Sequence, residues 1–191
     1  MRIVLVGPPG AGKGTQAVLL AKHLNIPHIS TGEMIRNAIA SGSELGQRVK
    51  LVNDRGDLVS DKLMKEVVSA RLAEQDCVGG FLLDGYPRTV RQVADFDNIL
   101  SKLNVSLDRV IEFKVPRETL LGRVKNRAGI AAQGSGSRAD DQDNVARKRL
   151  DVYDSQTAPL IDVLRARGVV RDVDGVGGIE EVSARIQKAL T

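Results

Sequence analysis

The chain has 191 residues, a mass of 20.6 kDa and 42% hydrophobic residues, enough for one well-buried domain with mobile insertions and too little for two. Its net charge of +4 and pI near 9.4 come without a basic tract of five or more, and with three Phe, two Tyr and no Trp to stack bases. That balance disfavours a nucleic-acid binder and favours a small anionic substrate.

Ile3-Val4-Leu5-Val6 has strand character and ends at Gly7-Pro8, so it is too short for a signal peptide or a membrane anchor. Gly7-Pro8-Pro9-Gly10-Ala11-Gly12-Lys13-Gly14-Thr15 follows, and then the helical pattern Ala17-Val18-Leu19-Leu20-Ala21. A buried strand, a glycine loop and a helix N-terminus in that order make a phosphate cradle. Glycines let backbone N–H groups turn inward, the first helical turn adds unpaired donors and partial positive charge, and Lys13 adds a full one. The residue after Lys13 is Gly14, and the hydroxyl comes one later, at Thr15. This removes the usual side-chain ligand for Mg2+, so the metal is expected to ride on nucleotide phosphates and water, with no protein-only metal site.

Pro27-His28-Ile29 reads as a short extended piece, and Ser30 with Glu33 forms a capping box opening a helix to about Ala40. Ser43 to about Asn53 is a second short helical pattern, Arg55-Gly56-Asp57 a turn, and a longer helix starts at Ser60. Cys77 stands alone and the histidines are His23 and His28 only, which excludes an internal disulfide and a zinc cluster and fits a reducing, cytoplasmic setting. Phe81-Leu82-Leu83-Asp84 is the next buried strand, followed by Gly85-Tyr86-Pro87-Arg88, and Thr89 caps the helix beyond. Asp84, at the carboxyl end of a strand beside a phosphate loop, is placed where such sheets bind ligands and can orient metal-bound water.

Arg109 to Val115 reads as a strand, with Pro116 in the first turn of the helix after it. Ala128 to Ser137, small residues with three glycines between arginines, reads as a mobile flap without regular structure. Pro159 is expected to bend or break a helical stretch from Asn144 to Arg167. Val169 to Val173 is a last strand and Ile179 starts a terminal helix. Five strands alternating with helices imply an α/β fold with a largely parallel sheet.

Gly7 to Thr15 together with Asp84 to Arg88 closely resemble the adenylate kinase family. The resemblance extends to Ser30-Thr31-Gly32-Glu33, Gly56-Asp57-Leu58-Val59, Arg138-Ala139-Asp140-Asp141 and Tyr153-Asp154-Ser155-Gln156-Thr157-Ala158-Pro159-Leu160, essentially the whole chain. It implies a P-loop three-layer α/β/α kinase with a core of residues 1–29, 60–125 and 143–191. Residues 30–59 would be the AMP-binding segment and 126–142 a short lid. It further implies phosphoryl transfer from MgATP to AMP giving two ADP, by a cytoplasmic monomer that engages neither nucleic acid nor membrane.

Under the resemblance, ATP phosphates fall on Gly10, Ala11, Gly12, Lys13, Gly14 and Thr15, and Gly177 lies by the adenine of ATP. AMP falls on Thr31, Arg36, the Asp57, Leu58 and Val59 backbone, Gly85, Tyr86, Pro87, Arg88 and Gln92. Arg123 and Arg127 close over ATP, while Arg138 and Arg149 reach the transferring phosphates. The catalytic set is thus Lys13, Arg88, Arg123, Arg127, Arg138 and Arg149. The lid lacks the four-ligand zinc knuckle of some relatives, so no zinc is expected, and it carries extra residues between Arg127 and Arg138.

The charge balance agrees with these roles, since ATP and AMP bring about six negative charges of which Mg2+ offsets two. Arg123 and Arg127, like Arg88 and Gln92, are four apart and share a helix face. Against the rival substrates UMP and CMP, Gln92 is the expected discriminator: its amide can donate and accept toward an adenine edge, and exchange for a shorter side chain would relax that choice. A regulatory nucleotide switch is the reading from another class, but the chain has no Asn-Lys-x-Asp guanine motif.

Overall fold

The computed structural model describes residues 1–55, 57–131 and 143–190. Five strands form one parallel sheet in the order β2-β3-β1-β4-β5, comprising β1 (Arg2–Val6), β2 (His28–Ser30), β3 (Phe81–Asp84), β4 (Arg109–Lys114) and β5 (Val170–Asp174). β1 is central: Leu5 is registered with Asp84 on one side and Ile111 on the other. Because strand side chains alternate, Val4 and Val6 face one apolar layer and Ile3 and Leu5 the other.

The first layer is filled by α4 (Asp61–Leu72), α5 (Val90–Lys102) and α8 (Ala158–Arg165), through Val68, Phe96 and Leu160 among others. The second is filled by α1 (Lys13–Leu24), α6 (Arg117–Ala131), α7 (Asp143–Val152) and α9 (Ile179–Leu190), through Leu20, Leu120, Leu150 and Ile186. Burial on both faces explains why the central strand β1 and its neighbour β3 read as continuous apolar runs. The remaining helices, α2 (Thr31–Ala40) and α3 (Glu44–Asp54), lie between β2 and α4 in the chain and pack on each other. They touch where Gly46 meets the Ala38 carbonyl, with no room for a Cβ.

Local signals set most boundaries. Ser30 Oγ accepts from the Glu33 N–H at 3.3 Å and starts α2, and Thr89 Oγ1 accepts from the Gln92 N–H at 3.1 Å and starts α5. Two expectations are corrected. The segment expected to be irregular from Ala128 begins as helix, because α6 runs on to Ala131; the rest of that segment lies outside the described residues. The interruption near Pro159 comes earlier, as a single π turn over Tyr153–Thr157, and Pro159 sits in the first turn of α8. There its missing N–H costs no helical hydrogen bond.

Candidate active site

The carboxyl ends of β1 and β3 open into a cleft of about 620 Å³ whose walls include the glycine loop, Ser30, Arg36, Asp84, Arg88, Arg123 and Arg149. The loop is shaped by Gly10 and Gly12, with φ of +84° and +90°, a left-handed conformation that L side chains resist. A Cβ on Gly7 would stand 2.9 Å from the Phe113 Cβ, so the loop lies directly against β4. Lys13 opens α1, and its Nζ donates to the Gly7 and Pro8 carbonyls at 2.7 and 3.0 Å, across its own loop. Asp84 Oδ2 lies 3.9 Å from where a Gly14 Cβ would stand, so this carboxylate faces the start of α1.

Around this cradle stand, among the described residues, five cations on separate elements: Lys13, Arg36 on α2, Arg88, Arg123 on α6 and Arg149 on α7. Arg123 is aimed by Nη1 to the Ala11 carbonyl at 3.4 Å and Nη2 to the Gly175 carbonyl at 2.9 Å. Arg88 is aimed by Nε to the Gly85 carbonyl at 2.8 Å. Gly85 has φ +93°, and a Cβ there would run into Thr31 Oγ1 and stand 3.0 Å from Arg88 Nη2. Thr31 Oγ1 donates to the Asp84 carbonyl at 3.3 Å, tying α2 to the end of β3. Several guanidinium groups converging on a backbone anion cradle suit the binding of phosphate groups.

Other expected residues stand differently. Leu58 and Pro87 line the cleft, and Val59 packs on the first apolar layer. Asp57 pairs with Lys148 of α7 at 2.7 Å. The Tyr86 ring is 1% exposed and edge-on to Phe96 at 5.9 Å, and burial pushes its phenol up; it packs inside, between Gly85 and Pro87, which line the cleft. Gly177, with φ +124°, sits in the turn between β5 and α9 against Glu181 and Arg185 and does not line the cleft. Arg138, the lid beyond Ala131 and the Arg127 side chain lie outside the described residues.

Gln92 is 2% exposed. Its Oε1 accepts from the Arg88 N–H at 2.7 Å, and its Nε2 donates to Asp61 Oδ1 at 2.7 Å. Asp61, at the start of α4, was legible only as a helix opener. His28 also reaches the cleft wall, with Nε2 buried and unpartnered among the described residues. Behind Pro8, Glu112 is buried within β4 between Lys114 and Arg165, and burial pushes its carboxyl up. An acid inside an otherwise apolar strand was its only sequence signal.

A family model described as adenylate kinase matches residues 5–169. The adenylate kinase of Stenotrophomonas maltophilia strain R551-3 is 49% identical over 190 residues, covering 100% of this chain and 99% of the relative. That of Bifidobacterium longum strain NCC 2705 is 48% identical, covering 97% of each. That of Brucella melitensis biotype 1 is 47% identical, covering 100% and 98%. The chain belongs to the adenylate kinase family.

Proposed function

We propose that this adenylate kinase family member transfers the γ-phosphoryl group of MgATP to AMP, giving two ADP and balancing adenine nucleotides. An oxygen of the AMP phosphate bonds to the γ-phosphorus, the bond to the β–γ bridging oxygen breaks, and that oxygen leaves on the β-phosphate. The step asks for alignment and charge neutralisation, not for a strong base. What carries the reading is the convergence of Lys13, Arg36, Arg88, Arg123 and Arg149 on one cleft around the glycine loop.

In this reading Gly10 to Thr15 hold the ATP phosphates, with Gly177 near the ATP base and Arg123 and Arg127 over the nucleotide. Thr31, Arg36, Asp57 to Val59, Gly85 to Arg88 and Gln92 hold AMP, Tyr86 through its backbone. Arg138 and Arg149 reach the phosphoryl in transit. Mg2+ arrives as part of the substrate, with Asp84 accepting from its water, and no zinc is used. Residues 30–59 and 126–142 move over a core of 1–29, 60–125 and 143–191 and exclude water, which otherwise competes for the phosphoryl group. The protein works as a cytoplasmic monomer; no helix among the described residues is long and apolar enough to cross a membrane.

A coupled assay of ADP formation with MgATP and each of AMP, GMP, CMP and UMP tests this. Turnover is expected to be greatest with AMP. Folded protein that makes no ADP from MgATP and AMP overturns the reading, and preference for UMP or CMP moves it to another monophosphate.

A further inference from the structure

We infer that Asp61 is a specificity-determining positioning residue, which fixes the orientation of the Gln92 amide so that it accepts adenine and rejects bases with the opposite edge. This rests on the reading above, in which Gln92 meets the base of AMP. A carboxamide is nearly symmetric in shape, and turned over it offers a donor where it had an acceptor. Alone, Gln92 would suit an adenine edge in one orientation and a carbonyl-bearing edge in the other.

The surroundings of Gln92 remove that freedom. The Arg88 backbone N–H can only donate, so the amide atom 2.7 Å from it must be the oxygen. The Asp61 carboxylate oxygen accepts at 2.7 Å from the amide NH2, the other end of the same side chain. Thr89 holds the frame: its Oγ1 lies 3.4 Å from the same Asp61 oxygen and accepts from the Gln92 N–H at 3.1 Å. With the side chain 2% exposed, no water replaces either partner cheaply.

Each amide atom keeps one further hydrogen bond: a lone pair on Oε1 and an N–H on Nε2. That pair matches the amino group and ring nitrogen of adenine. It opposes the carbonyl and ring N–H of hypoxanthine, a purine of nearly the same shape. Cytosine presents the same donor and acceptor order as adenine. Asp61 therefore sorts monophosphates by edge polarity, separately from their size.

The test measures kcat/KM for AMP, inosine monophosphate and CMP, with MgATP fixed, in the wild type and in Asp61→Ala, Asp61→Asn and Gln92→Leu. Each ratio is internal to one protein, so a loss of folded material cancels. Asp61→Ala is expected to lower the AMP to inosine monophosphate ratio roughly tenfold, the worth of one charge-assisted hydrogen bond. The AMP to CMP ratio should hold, and Asp61→Asn, which keeps a carbonyl acceptor, should restore most of the loss. Parallel falls for all three substrates in Asp61→Ala, with ratios intact, would show a structural residue and overturn the inference. If Gln92→Leu abolishes the discrimination and Asp61→Ala does not, Asp61 alone is excluded. If neither variant changes it, the assignment of Gln92 to the base fails and the inference falls with it.

Discussion

The glycine loop and the helical segment from Thr31 to Asp54 face each other across one cleft, yet they are anchored by different means. Behind the loop, Ile3, Val4 and Leu5 are at most 2% exposed and Gly7 abuts Phe113. Its shape is thus fixed by the sheet before any substrate arrives. Across the cleft, the apolar residues buried on α2 and α3 are Ile35 and Val49 among the described residues, and the helices meet over a bare glycine. Few buried apolar contacts mark a region that moves at little cost. One wall is a preset electrostatic mould, and the other is held by few buried apolar side chains among the described residues.

The largest loss of activity is expected on removing charge from the preset wall. Lys13→Ala is expected to lower turnover at least about a hundredfold while the melting transition stays in place, because in the proposed function the lost charge acts on the transferred group. A variant with near-normal kcat would end the view that the mould acts through Lys13. Arg88→Ala should cost turnover on a similar scale, about a hundredfold, with both nucleotides still binding by calorimetry.

Gly46→Ala probes the opposite wall. In an ordinary helix interior this change stabilises, by about 1 kcal/mol. Here the new methyl meets the Ala38 backbone, and the expected outcome is a loss of about 1–3 kcal/mol. KM for AMP should rise while KM for ATP holds, and equal rises in both would show the walls to be rigidly coupled.

Cys77 reports on the core beneath both walls. It is 4% exposed, and burial pushes its thiol from 9.0 up to about 11. The folded state favours the neutral thiol, so this stabilisation is complete below the unfolded value and is lost as pH rises through about 11. Alkylation at pH 8 should be slow in folded protein and fast after unfolding, and the melting temperature should fall between pH 9 and 11. The smallest effect is expected for Lys148→Ala, which removes the pair with Asp57 between α7 and the segment side. Both partners are about half exposed, so stability should change by no more than about 0.5 kcal/mol, and less in high salt.

The glycine loop, the five strands and the two capped helices were legible because each rests on neighbours in sequence: glycine after an apolar run, Ser30 three before Glu33, Thr89 three before Gln92. The rest depends on partners far along the chain. Nothing local shows that the Gln92 amide is claimed by Asp61 from another helix, or that Tyr86 turns its ring inward onto Phe96. Pro159 was a sound warning of a break. The neighbouring π turn instead absorbs the irregularity, so the proline lands where a helix tolerates it.

The central place of β1 carries a burden during synthesis. Its partners are Phe81–Asp84 and Arg109–Lys114, so Ile3 to Val6 leave the ribosome long before either flank exists. At roughly 5–20 residues per second, that oily stretch waits several seconds for its neighbours. Nascent chains arrested ahead of β4 would keep one side of their middle strand unpaired, an invitation to intermolecular pairing that calls for shielding until translation passes Lys114.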